Sequence, residues 1–192
     1  MRSARWRGRS AIGLERVLAL SLRETLVNDR CRPLRREPVS RLPSVGWLLV
    51  IGEVEALRWI IANGRTGFRS NTRSGGIAAG DSFALYTTRG SYHNPNTCVS
   101  QVLGLGTFTS SVNDEDVVIA REHFPKSVPL AFASLLPERK GMPFVPLVPK
   151  LSFIRSKTGW APYLRSALVQ VPDSDMRLIV REFNRHAASA DR

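Results

Sequence analysis

The chain has 192 residues, of which 43% are hydrophobic, and it carries 28 lysines and arginines against 16 acids, a net charge of +12. This apolar content supports a folded core and excludes a chain that is disordered throughout. No uncharged apolar stretch of about 18 residues occurs, so a membrane-spanning helix is excluded and no membrane partner is expected. A strongly positive chain favours polyanionic partners, of which nucleic acid is the commonest.

More than half of the positive charge lies in the first quarter of the chain. Residues 1–44 contain eleven arginines and four acids, a net charge of +7, which leaves +5 for the rest. We predict that residues 1–44 form a basic, flexible N-terminal arm with little function of its own. The alternative is that its arginines add contacts to phosphates.

The first elements after the arm are a strand and a helix. The apolar run over residues 47–51 predicts a buried strand. Hydrophobic residues at helical spacing predict a helix over 53–63, and Gly64 is a typical C-terminal cap for it. Residues 65–76 are polar and glycine-rich, which predicts a loop that exposes one aromatic side chain, Phe68.

Short strands separated by turn signals follow. A Gly80-Asp81 turn precedes the first of them, and a second polar loop over 89–96 follows it. The predicted strands cover residues 82–88, 99–109, 117–120, 128–136, 144–148 and 167–171. A last helix starting at Asp173 or Ser174 would place Met176, Ile179, Val180 and Phe183 on one face.

This order of elements predicts an α+β fold. Many short strands with turns between them are typical of a small mixed β-barrel, with the helices packed at its flanks. We expect this domain to cover residues 45–187, with a short tail over 188–192.

The residues that usually carry catalysis show no catalytic spacing. The chain contains three histidines, His93, His123 and His186, and two cysteines, Cys31 and Cys98. None lies in a nucleophile elbow, a thiol-protease signature or a metal-binding spacing. The acids of residues 114–116 are typical of a solvated turn. We therefore predict a cytoplasmic protein with free thiols that is not an enzyme and holds no metal or cofactor.

Two predicted loops carry residues suited to nucleic acid, on either side of the strand over 82–88. Phe68 and Arg69 lie together, with Arg65 and Arg73 close in sequence. An aromatic ring stacks on an unpaired base, and guanidinium groups reach phosphates or base edges. The second loop adds Tyr92, His93 and Asn94. The alternative is that Phe68 and the second loop's tyrosine pack as anchors of their loops.

Four short motifs give the chain a family resemblance. They are Gly67-Phe68-Arg69, Gly80-Asp81, Leu85-Tyr86 and Val102-Leu103-Gly104. Together with the tryptophan-led first strand, their order makes residues 45–171 similar to the EVE domain family, relatives of the YTH, ASCH and PUA domains. The resemblance implies a PUA-like mixed β-barrel with a pocket for a flipped base of DNA or RNA, modified or unmodified. It also implies a bacterial role in defence and restriction or in RNA modification.

The resemblance also implies positions for the site residues. It places Trp47 at the base of the first strand, Tyr86 at the end of the strand below the pocket, and Gly67, Phe68, Arg69 and Ser70 at the pocket rim. Family members commonly carry a tryptophan at the position of Arg65. The resemblance therefore implies that this chain lacks one wall of an aromatic cage. His93 and Asn94 are the candidates to replace it.

The sequence therefore predicts a nucleic-acid-binding module whose partner is DNA or RNA. One alternative function is a non-catalytic protein-interaction scaffold with the basic arm as its tether. The other is a nuclease accessory subunit with a cryptic activity.

Overall fold

The computed structural model describes residues 45–94 and 96–190. The predicted arm over 1–44 lies outside the described residues, as does Cys31. The described part contains β1 (Gly46–Ile51), α1 (Val54–Asn63), β2 (Arg65–Phe68), β3 (Ser82–Thr87), β4 (Gln101–Phe108), β5 (Val117–Ile119), β6 (Glu122–Phe124), β7 (Lys126–Leu135), β8 (Met142–Pro143), 3-10 helices at Val145–Lys150 and Ala161–Leu164, β9 (Leu168–Val171) and α2 (Asp173–Ala190). The last helix thus runs past residue 187, the predicted end of the domain.

Seven strands form one curled mixed sheet, half of a barrel. Its order is β2-β7-β4-β3-β1-β9, with β8 paired to β4, while β5 and β6 form a separate hairpin. β1 runs parallel to β3, because α1 and β2 carry the chain back between them, and the other strand pairs are antiparallel. The predicted α+β class, a barrel-like mixed sheet with flanking helices, is confirmed.

The sheet buries apolar side chains on both faces. Along β1, Leu49 and Ile51 belong to the core that also holds α1, whereas Leu48 belongs to the core beneath α2. Successive side chains of a strand point to opposite faces, so a strand covered on both sides reads as a continuous apolar run. α2 packs against one face of the sheet through the apolar residues that the sequence predicts for this helix. Of these, Ile179 and Phe183 are fully buried.

Two predicted elements differ from the structure. Residues 65–68 form β2 and not a loop, because β7, distant in sequence, supplies their backbone partners. Of residues 144–148, which are predicted as a strand, residues 145–148 lie in the first 3-10 helix and Phe144 is its N-cap. Pro146 and Pro149 lack the backbone N–H that a strand ladder requires, so this segment cannot pair as a strand interior.

The ends of α1 and the turn before β3 follow the sequence prediction. Gly64 adopts φ 56° and donates its N–H to the carbonyl of Ile60 at 2.9 Å, which ends the helix. Gly80 adopts φ 89° in the turn that delivers Asp81 to the start of β3. Neither α1 nor α2, the α-helices of the described part, combines the length and the apolar character that crossing a bilayer requires.

A buried hydrogen bond joins the starts of the two parallel strands. The indole Nε1 of Trp47 donates to Oδ2 of Asp81 at 3.0 Å, and the backbone N–H of Ala78 donates to the same oxygen at 3.0 Å. Both side chains are buried. Since Trp47 lies opposite Phe83 in the β1–β3 pair, this contact fixes the register at which the parallel strands begin.

We expect Asp81→Ala to lower the free energy of unfolding by about 1–3 kcal/mol, because the buried indole N–H of Trp47 and the partly buried N–H of Ala78 lose their acceptor. Asp81→Asn keeps a carbonyl oxygen at this position and should lose less. Urea denaturation of both variants measures the difference. If Asp81→Ala is as stable as the wild type, the indole contact does not hold the strands together.

Candidate nucleic-acid interface

Three concave surfaces meet at Ala167, just before β9. We call them the small cavity, of about 200 Å³, the large cleft, of about 940 Å³, and the basic groove, of about 780 Å³. Ala167 lines all three, and its carbonyl accepts a hydrogen bond from the N–H of Val50 at 2.9 Å. Because β9 runs antiparallel to β1, the segment that precedes β9 lies at the end of β1.

The small cavity lies among the end of β1, α1, β2 and the β5–β6 hairpin. Its walls are mostly apolar, and their side chains include Leu49, Ile51, Ala56, Ile60, Phe68, Ile119 and Phe124. Two exposed carboxylates, Glu53 and Glu122, are the charged groups that line it. Such a cavity suits a flat apolar ring whose amino groups can donate to a carboxylate.

Phe68 belongs to the wall of the small cavity and not to an exposed loop. Its side chain is 1% exposed, so the predicted exposure is wrong. The cause is β2, in which Thr66 and Phe68 both face inward and are buried. Phe68→Ala would remove a core side chain, which typically costs about 3–5 kcal/mol, so this substitution cannot test binding by itself.

Gly67 keeps the hairpin packed against β2. A Cβ at this position would lie 2.7 Å from Cβ of Phe124 and 2.8 Å from Cγ1 of Val117. Only glycine therefore permits the observed approach of the β5–β6 hairpin, which closes one side of the small cavity. The glycine of the Gly-Phe-Arg motif has a packing role in this structure.

Two arginines of the first predicted loop form ion pairs with acids near the hairpin. Arg65 is half-buried and lies 2.7 Å from Glu115, and Arg69 lies 2.8 Å from Glu122. The Arg69 side chain is 67% exposed, and exposed pairs of this kind contribute little stability, so Arg69 can exchange its carboxylate for a phosphate. Ser70 follows it and is exposed.

The basic groove lies between the segment after β2 and the edge strand β9. Its lining residues are Trp47, Arg69, Asn71, Thr72, Arg73, Tyr163, Arg165 and residues 166–170. Three of these lining residues are arginines, and none of the lining residues named here is an aspartate or glutamate. Since residues from both edges of the curled sheet line this groove, the curl itself brings the arginines together.

The large cleft has an aromatic wall. The ring centroid of the buried Phe144 lies 4.9 Å from that of Tyr86 and 5.9 Å from that of Trp160, and the last two rings line the cleft. Burial raises the pKa of the Tyr86 phenol above its ordinary value. Arg89 and Arg165 line the same cleft, and none of the described residues that line it is an acid.

Of the described residues of the second predicted loop, only the first two, Arg89 and Gly90, line one of these surfaces. Tyr92 is buried, and the guanidinium of Arg139 lies 5.2 Å from its ring centroid. His93 is exposed, with its Nε2 3.5 Å from a carboxylate oxygen of Glu53, and Asn94 is exposed as well. The two loops therefore do not converge on one pocket. His93 approaches the small cavity only through Glu53.

His93 also belongs to a group of possible metal ligands. Its ring nitrogen and the carboxylates of Glu53 and Glu55 lie within 4.8 Å of one another. All three side chains are exposed, an arrangement that is common on protein surfaces without an ion. The prediction that the protein holds no metal stays a prediction.

Sequence reasoning missed three residues that shape the large cleft. Arg89 lies in the second predicted loop but was not assigned to the site. Trp160 lies in a stretch without a predicted strand or helix, and a tryptophan in such a stretch is a usable signal. Nothing local indicates that Arg165 shares a cleft with Arg89, because 75 positions separate them.

The chain resembles known proteins in structure only, and at low sequence identity. No family model matches the chain, and no curated protein matches it. A crystal structure from Pseudomonas putida has a TM-score of 0.48 at 12% identity, covering 71% of this chain and 98% of that one. An NMR structure from Rhodopseudomonas palustris has a TM-score of 0.48 at 13% identity, covering 73% and 93%.

A third similar structure is the YTH domain of the Zygosaccharomyces rouxii MRB1 protein in complex with N6-methyladenosine RNA. Its TM-score is 0.46 at 11% identity, and the match covers 77% of this chain and 92% of that one. At these TM-scores and identities, the likenesses assign neither a family nor a ligand to this chain.

We expect Gly67→Ala to lower the free energy of unfolding by about 1–3 kcal/mol, because the added methyl group overpacks the contact with the hairpin. Gly75→Ala is the matched control, since a Cβ at Gly75 would have no atom of the described residues within 4 Å. Thermal and urea denaturation compare the two variants. Equal stability of the two would contradict the packing role of Gly67.

Proposed function

We propose that this domain binds nucleic acid, with one unpaired or flipped base in the small cavity and the adjoining backbone across the basic groove. The observation that carries the proposal is the chemical difference between the two surfaces that meet at Ala167, the small cavity and the basic groove. An apolar cavity with carboxylates at its rim lies beside a groove that, among the described residues, is lined by arginines and no acid. A nucleotide has the same division, with a flat base on one side and an anionic phosphate on the other.

The small cavity suits the base. Its volume of about 200 Å³ is below the about 300–1,000 Å³ of pockets for drug-sized ligands, so it fits a single ring system. Extruding a base costs a few kcal/mol, which burial among apolar walls offsets. The carboxylates of Glu53 and Glu122 can accept hydrogen bonds from the amino group of a base, as acidic side chains do with cytosine.

The basic groove suits the phosphates. Arg73 and Arg165 have no ion-pair partner among the described residues, and Arg69 has only an exposed one. A guanidinium group binds phosphate through two parallel N–H donors, which fixes orientation as well as charge. These contacts are salt-dependent and independent of sequence.

The EVE resemblance supports the same role, since Gly67 and Phe68 line the small cavity and Arg69 lines the basic groove. We retain from the sequence the proposals that the ligand is DNA or RNA, with or without modified bases, and that the protein is cytoplasmic and binds without catalysis. A place in bacterial defence and restriction or in RNA modification belongs to the same proposal.

A variant that fills the small cavity tests the proposal. Ala56 on α1 lines the cavity, and Ala56→Leu extends an isobutyl group into it, whereas Ala62→Leu makes the same change on the exposed face of the same helix. We expect Ala56→Leu to weaken binding of short labelled single strands by about tenfold or more, because the base loses its space. Fluorescence anisotropy with DNA and RNA strands, methylated and unmethylated on the base, measures the affinity.

Ala62→Leu should bind like the wild type. If Ala56→Leu also keeps wild-type affinity, the small cavity does not hold the base. If the wild-type protein binds none of the strands even at low salt, the proposed function is wrong.

The basic groove is tested by the salt dependence of binding. Arg73→Gln should weaken binding to all strands alike and lower the slope of log K against log salt by about one, since one phosphate contact is lost. Arg181→Gln, an exposed arginine on α2, makes the same charge change elsewhere. An equal slope change in both variants would mean that net charge and not the groove determines the attraction.

A further inference from the structure

We propose that the large cleft binds a second base, adjacent to the first on the same strand, so that the ligand is a single strand with at least two consecutive unpaired bases. This inference rests on the proposed function and names its substrate class. The large cleft lies outside the site predicted from the sequence, and of the predicted residues only Tyr86 lines it.

A buried phenylalanine ring supports the aromatic wall of the cleft. Trp160 is half-buried, and its ring packs against Phe144, which is fully buried and contacts Tyr86 in turn. A side chain supported in this way loses little conformational freedom when a ring stacks on it. Every base has a flat face, so such a platform accepts any base sequence.

Apolar side chains extend this wall to the rim. Val99 and Val145 line the cleft and are 53% and 51% exposed, two of the four large hydrophobic residues that stand out on the described surface. Together with Trp160, they form an apolar surface that a ring can cover. Large exposed apolar groups around a concave site are typical of ligand-binding grooves.

The charge of the cleft selects an anion. Arg89 and Arg165 both line it. Within the described part of the chain, neither arginine pairs with an acid and no carboxylate lines the cleft. A neutral apolar ligand would leave both guanidinium groups unused, and an acidic peptide would leave the tryptophan wall unused. A nucleotide uses both, because its base is aromatic and its phosphate is anionic.

The geometry links the cleft to the small cavity. Val50, Gly52 and Ala167 line both, so one narrow wall separates the two openings. Arg165 lines both the cleft and the basic groove. Consecutive bases of one strand can therefore enter the two sites, with the intervening phosphate beside Arg165. Two neighbouring bases can separate in this way only where the strand is unpaired and unstacked.

A length series tests the second base site. Isothermal titration calorimetry measures the affinity of unlabelled adenosine mononucleotide, dinucleotide, trinucleotide and hexanucleotide, as DNA and as RNA. For the wild type we expect affinity to rise by about fivefold or more between the mononucleotide and the trinucleotide, as stacking on one further aromatic platform contributes. Trp160→Ala and Arg89→Gln should each lose most of this gain, and Trp160→Phe should keep it.

The controls separate this inference from the proposed function. Arg181→Gln should keep the wild-type length gain, and Ala56→Leu should weaken binding of every length. If Trp160→Ala does not fold, Arg89→Gln decides, because its side chain is exposed. The second site is overturned if the length gain is unchanged in Arg89→Gln and Trp160→Ala while Ala56→Leu still weakens binding. A wild-type protein that gains nothing from added nucleotides would overturn it as well.

Discussion

The backbone hydrogen bond from Val50 to Ala167 holds the segment before β9 against the end of β1. Every concave surface of the candidate interface depends on this contact, because Ala167 lines all three of them. The position of β9 follows from its antiparallel pairing with β1, and β1 is fixed in turn by its parallel pairing with β3. The interface therefore lies where the edge strand β9 pairs with β1, and its charged and aromatic side chains lie on the segments that flank these strands.

The placement of charge matters more than its amount in the described part. Arg65 pairs with Glu115, and Arg69 pairs with Glu122, which lines the small cavity. Arg73, Arg89 and Arg165 pair with no acid among the described residues and line the basic groove or the large cleft. A modest net charge outside the first 44 residues can thus produce a strongly positive local surface, because the acids are positioned elsewhere.

The three residues of the Gly-Phe-Arg motif have three different roles in the structure. Its three residues do lie at the candidate interface, yet only Arg69 offers its side chain to solvent. Phe68 forms a buried wall, and Gly67 permits the hairpin to pack. The sequence indicates which segment borders the pocket but not which face of that segment is covered. This face is covered by β7 and the hairpin, whose contacts with β2 span fifty positions or more.

The sequence by itself determined the features that depend on neighbouring residues. These are the buried run of β1, the helix capped by Gly64, the Gly80-Asp81 turn and the apolar face of α2, each set by hydrogen bonds or periodicity within a few positions. The tertiary structure alone decided that residues 65–68 form a strand, because its partners come from β7. It also decided that Arg89, Trp160 and Arg165 share one cleft. Strand pairing and curl bring such distant residues together, and no local pattern records which segments will pair.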